Sequence, residues 1–119
     1  MPDRPKQILS VAGTEALRKT RELVLKQSGY LVVSAQTTRE LNHVCRRTVF
    51  DLAIVGHAFE EEHKVKMAEV IRQLCPNLPI LEICRISPVI APAPEYILRN
   101  PDPDDLVKEV NRILRGIES

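Results

Sequence analysis

Short Val- and Ile-rich runs alternate with stretches of helical period along most of this 119-residue chain, and that alternation leaves few folds open. The runs are Ile8-Leu9-Ser10-Val11-Ala12, Leu31-Val32-Val33-Ser34-Ala35, Leu52-Ala53-Ile54-Val55, Ile80-Leu81-Glu82-Ile83-Cys84 and the shorter Tyr96-Ile97-Leu98. Such runs suit strands covered on both faces. After the first, Thr14 is placed to cap a helix running to about Ser28, and Gly29 to stop it. Thr37-Thr38-Arg39-Glu40 spells a capping box, in which a hydroxyl and a carboxylate each satisfy an orphan backbone donor. Leu41, Val44, Cys45 and Thr48 follow at the spacing of an amphipathic helix. A third helix, from about Glu61 to Leu74, puts Val65, Ala68, Ile71 and Cys75 on one stripe before Pro76. The acidic run Glu60-Glu61-Glu62 suits the positive end of its dipole. The last helix opens with Asp102 as cap, Pro103 at the first helical position, and Asp104 and Asp105 in the first turn. Leu106, Val110, Ile113 and Ile117 form its apolar stripe.

Strands alternating with helices imply a parallel sheet with helices on both faces. Right-handed crossovers leave few topologies, of which the flavodoxin-like strand order 2-1-3-4-5 is the simplest. The expected architecture is a three-layer α/β sandwich: one domain over residues 1–119, with its core at about 6–117. One interval breaks the rhythm. Between Arg85 and Glu95, prolines at 88, 92 and 94 forbid a regular helix and predict an extended, polyproline-like loop.

Composition removes several classes of function. Seventeen basic against sixteen acidic side chains give a net charge of +1, too weak a field to draw the chain to nucleic acid or anionic lipid. With no Trp, two Phe and two Tyr, a base-stacking platform is poorly supplied. No apolar run approaches the roughly 20 residues of a membrane helix. Met1-Pro2-Asp3-Arg4-Pro5-Lys6 lacks the apolar stretch of a signal peptide, so a cytoplasmic location is expected. Cys45, Cys75 and Cys84 show neither a disulfide framework nor a CxxC metal spacing, and read as reduced, mostly buried thiols.

Ligands of open α/β sheets bind at the carboxyl ends of the strands, here Ala12-Gly13, Gly56-His57, Cys84-Arg85 and Arg99. At these ends, over about residues 6 to 117, the sequence resembles the receiver domain of bacterial response regulators. The likeness is carried by Ile8-Leu9-Ser10-Val11, Gly29-Tyr30-Leu31-Val32-Val33, Phe50-Asp51-Leu52-Ala53-Ile54-Val55, Pro79-Ile80-Leu81, Tyr96-Ile97-Leu98-Arg99 and Asp102-Pro103-Asp104-Asp105-Leu106. In that family, two acidic residues after the first strand hold Mg²⁺ and an aspartate ending the third accepts a phosphoryl group. A Ser or Thr ending the fourth, with a lysine and then a proline after the fifth, reads the phosphorylated state. By position, the acidic pair falls on Ala12 and Gly13, the acceptor on Gly56, the Ser/Thr on Cys84, and the lysine and proline on Arg99 and Asn100. A one-residue shift would instead pair Asn100 and Pro101 with the last two. The resemblance therefore implies a pseudo-receiver. Backbone alone cannot supply the carboxylates that Mg²⁺ normally requires, and glycine has no nucleophile. It also implies that the proline-rich interval stands where the family has a helix of its signalling face.

Further candidates follow from residue types. Glu82 interrupts an apolar central strand, and a buried carboxylate needs a partner, for which Arg85, Arg99 or His57 could serve. It could edge a polar pocket, or stand in a structural ion pair. His57 reads as an alternative phosphoacceptor, a metal ligand or merely a loop residue; Cys84 reads as a redox-sensitive or an inert thiol. Arg18-Lys19-Arg21 and Arg46-Arg47 read as solvated helix faces. Pro88, Val89, Ile90 and Pro92 carry apolar groups on a stiff backbone, suited either to docking a partner or to packing over the gap left by the missing helix. The expected function is a stand-alone, phosphorylation-independent signalling module that binds a protein partner or itself and needs no cofactor. With no output domain after Ser119, it would act by noncovalent contact. A small-ligand or anion sensor at a pocket edged by Gly13, Gly56 and Arg99 is the alternative. Catalysis is not expected, since no phosphate loop, nucleophile elbow or paired strand-end carboxylates are present.

Overall fold

A computed structural model describes residues 5–57, 60–100 and 102–116. Met1 to Arg4, Pro101 and Ile117 lie outside the described residues. The elements run β1 (Gln7–Val11), α1 (Glu15–Gln27), β2 (Leu31–Ala35), α2 (Thr38–Arg47), β3 (Leu52–Val55), α3 (Glu61–Leu74), β4 (Ile80–Ile83), β5 (Tyr96–Leu98) and α4 (Pro103–Arg115). All strand pairs are parallel, in the order β2-β1-β3-β4-β5. This is the predicted flavodoxin-like sandwich.

The helix ends form for the reasons visible in the sequence. Thr14 Oγ1 accepts from the Leu17 amide, and both halves of the Thr37/Glu40 capping box are present. Asp102 accepts from the Asp104 amide ahead of α4, with Pro103 at its start. Gly29 turns the chain after α1 with φ +97°, a conformation that a side chain strongly disfavours.

Alternation along each strand sorts the core into two layers. Leu9, Val11, Ala53, Val55 and Ile80 pack with Leu41, Met67, Ala68 and Ile71 of α2 and α3. Ile8, Leu52, Ile54, Leu81 and Ile83 pack with Leu25 of α1 and with Leu106 and Val110 of α4. The outer strands are less covered than expected: Leu31 opens β2 to solvent, and all of β5 is half-buried, because edge strands have a neighbour on one side only. The stripe of α3 is also rotated from the predicted one. Lys64, Met67, Ala68, Val70 and Ile71 are its buried residues, with Val65 half-buried.

No helix forms between β4 and β5. Ile90 leaves the loop to enter the layer beneath α3, 5% exposed, while Val89 and Pro88 are half-buried and Pro92 is exposed. Of the two readings of Pro88–Pro92, packing over the gap holds at its centre, where Ile90 turns inward. The large aliphatic side chain of this loop that faces solvent is Ile86, 90% exposed.

Far from this loop, α4 is fastened to the entry of β2. Tyr30 Oη donates to Asn111 Oδ1, Arg115 lies 4.5 Å from the centroid of the Tyr30 ring, and its Nη2 donates to the Ser28 carbonyl at 2.8 Å.

Candidate functional site: the carboxyl edge of the sheet

Backbone pairing continues just past the strands, which brings the predicted positions to one edge. The Gly56 amide donates to the Val11 carbonyl at 2.8 Å, and the Cys84 amide to the Leu98 carbonyl at 3.0 Å. Ala12, Gly56 and Cys84 are buried there, Gly13 is half-buried, and Arg99 is exposed at the end of β5.

Two basic side chains, neither assigned to this edge from the sequence, organise it. The first is Arg21, on the inner face of α1 and only 3% exposed. This corrects the reading of Arg18-Lys19-Arg21 as a solvated face. Arg18 does sit at the surface, bridging Glu15 and Glu22, but Arg21 is turned into the sheet. Its guanidinium fills the space next to Gly56. A Cβ built on Gly56 would collide with Arg21 Nη1 and would stand 3.1 Å from the Val11 carbonyl. A side chain at 56 would therefore have to displace the Arg21 guanidinium and sit tight against the Val11 carbonyl.

Arg21 Nη2 lies 3.2 Å from His57 Nδ1. A guanidinium has donors and no acceptor, so Nδ1 accepts and the ring proton belongs on Nε2. Burial first, then the charges of Arg21, Arg85 and Lys64, hold the His57 pKa below the ordinary histidine range. Burial pushes the Arg21 pKa down to about 10. Arg21 Nη1 and the hydroxyl of Ser10 in β1 are buried with no hydrogen-bond partner among the described residues.

The second is Lys64 of α3. Its Nζ sits 2.9 Å from Glu82 Oε2 and donates to the Ile83 carbonyl at 2.8 Å. Glu82 is fully buried, so the sequence was right to demand a partner for it. The partner is Lys64, however, and none of Arg85, Arg99 or His57. The Glu82 carboxylate also accepts from the Val89 amide at 2.8 Å and the Ile90 amide at 3.3 Å. One buried carboxylate thereby pins both a lysine and the proline-rich loop to β4. Lys64 could have been suspected from its place, because it shares a stripe with Met67, Ala68 and Ile71. Arg21 could likewise have been suspected, four residues from both Leu17 and Leu25.

Outside this polar cluster lies a cavity of about 280 Å³, walled by His57, Glu61, Lys64, Cys84, Arg85 and Ser87 among others. Gly13, Gly56 and Arg99, predicted to edge a pocket, do not line it. Among the described residues, no group of three or more His, Cys, Asp or Glu is placed to hold a metal ion. At the opposite edge, Cys45 and Cys75 meet at the ends of α2 and α3, an approach that their spacing in sequence concealed. Burial, then the neighbouring Cys75, pushes the Cys45 thiol up to about 12, away from thiolate chemistry.

The sheet order, the crossovers and a strand-end site define a receiver-like α/β fold. The sequence matches no protein-family model and no curated protein. Solved structures do match. A CheY-like response regulator receiver domain from Methanospirillum hungatei superposes with a TM-score of 0.75 at 21% identity, covering 95% of this chain and 96% of that one. A putative response regulator from Chloroflexus aurantiacus gives 0.75 at 25%, covering 94% and 99%. The response regulator TrrA from Thermotoga maritima, solved with Mg²⁺ and BeF, gives 0.72 at 22%, covering 92% and 99%. TrrA has also been solved in complex with the histidine kinase ThkA; that copy matches with a TM-score of 0.69 at 20% identity, covering 92% and 98%.

Proposed function

We propose that this protein is a receiver-like signalling module that works by noncovalent contact with a protein partner or a second copy of itself, without aspartyl phosphorylation and without catalysis. The observation that carries the reading is Arg21 packed against Gly56. In the reading by resemblance the phosphoacceptor position falls on Gly56, and the Arg21 guanidinium lies where a side chain there would begin. Ala12 and Gly13, at the positions of the metal-binding acids, offer only backbone, whereas a hard divalent cation prefers carboxylate oxygens. The pairing of TrrA with a histidine kinase supports protein contact as the working mode of this fold. The loop between β4 and β5 gives the molecule a surface of its own, with Ile86 exposed beside Arg85 and Ser87.

The test is incubation with acetyl phosphate and Mg²⁺, followed by intact-mass measurement, on the native chain and on Gly56→Asp. No phosphoryl adduct is expected on either. In the variant the new carboxylate meets Arg21 and is drawn into an ion pair. A stable gain of one phosphoryl group on either protein overturns the proposal.

A further inference from the structure

Arg21 poses a problem of charge. A guanidinium that is 3% exposed is costly to bury unless a carboxylate or another anion compensates it. Its hydrogen-bond partner is a neutral imidazole, and one of its terminal nitrogens is unpartnered among the described residues. The neighbouring basic groups sharpen the imbalance. Lys64 is neutralised by Glu82, but Arg85 stands on the cavity wall with no ion pair among the described residues. Glu61, at the exposed start of α3, is the acidic member of the wall. Arg85 and Arg21 together outweigh it.

His57 adds a directed donor. With Nδ1 accepting from Arg21, the ring offers Nε2–H, for which the described residues provide no acceptor. The cavity that His57 and Arg85 share is also lined by Ser87, with Ile86 and Val89 as its apolar members. Its volume of about 280 Å³ suits a small ion with its first waters. The wall thus combines charge and donors, the chemistry that oxyanions select.

We propose that this cavity binds a small oxyanion of the phosphate class, held by Arg85 and the His57 Nε2–H, with Arg21 behind His57 as the buried charge that the ion offsets. Binding is noncovalent, and no bond is made or broken. It requires none of the acidic metal ligands of phosphoryl chemistry and stands independently of the partner-binding role.

The experiment is a titration of the full chain with inorganic phosphate at constant ionic strength, followed by the amide resonances and by the His57 imidazole resonances in ¹⁵N-edited NMR. Saturable shifts centred on His57, Arg85 and Ser87 are expected, absent when chloride replaces phosphate. Arg85→Glu reverses a charge on an exposed loop residue, so the fold should be kept, and it should weaken binding about tenfold or more, the size of a lost charged hydrogen bond. Arg46→Glu, at the exposed end of α2, should leave binding unchanged. Shifts that fail to saturate, that chloride reproduces, or that persist in Arg85→Glu would overturn the assignment.

Discussion

Replacing Glu82 with alanine should be among the most damaging single changes in this molecule. Its carboxylate is wholly buried and serves three donors: Lys64 Nζ and the amides of Val89 and Ile90. Removing it strands Lys64, itself only 4% exposed, with a single carbonyl as partner, and releases the loop from β4. Breaking a buried pair from one side costs about 3–5 kcal/mol. Against a total of roughly 5–15 kcal/mol for a domain, that is a large share. At this chain length the loss corresponds to a fall in Tm of roughly 10–20 °C. Urea unfolding followed by far-ultraviolet circular dichroism would read it as a lower midpoint at nearly constant slope. The double variant Glu82→Leu/Lys64→Met is the informative control. It leaves the two loop amides unpaired, as Glu82→Ala also does, and takes the Lys64 donor from the Ile83 carbonyl, but it strands no buried charge. The double variant should therefore be more stable than Glu82→Ala. A loss below about 1 kcal/mol in the single variant, or a double variant less stable than the single, would refute the reasoning that this pair is held by mutual dependence.

Arg21→Met should raise stability by about 1–3 kcal/mol in urea unfolding, because an apolar chain of similar length replaces an uncompensated buried charge; a fall would mean that the guanidinium contributes more than it costs. His57 should make the fold acid-sensitive. Its folded pKa lies below the unfolded value of 6.5, so between the two the unfolded chain binds more protons and stability rises with pH, reaching its plateau above 6.5. His57→Gln should flatten the dependence of the urea midpoint on pH between about 5 and 7, and an unchanged slope would discount this group.

The fold was legible because its signals are local. Capping residues at Thr14, Thr37 and Asp102 mark helix starts, Val- and Ile-rich runs mark strands, and three prolines mark the one place where alternation fails. The edge where function would lie was legible too, since it follows from topology. Its chemistry was not. Glu82 announced that it needed a partner, but the partner comes from a helix 18 positions earlier in the chain, and two arginines and a histidine at the strand ends looked better placed. Arg21 was misread because a charge cluster on a helix is normally solvated. Only the position of Arg21 between Leu17 and Leu25 told against that, and periodicity carries little weight beside the cost of burying a guanidinium. Ile90 stayed open between docking and packing because solitary apolar residues among prolines give no sign of which way they turn.

The clasp of Tyr30 and Arg115 fixes where attachments can be made. Since α4 runs back against the strands, its last turn lies over the entry of β2, at the opposite end of the sheet from His57 and Arg85. A tether, dye or affinity handle joined beyond residue 116 would thus hang from the far pole of the molecule. Immobilised that way on a sensor surface, the protein would present its cationic cavity and the Ile86 loop outward, open to ion and partner alike.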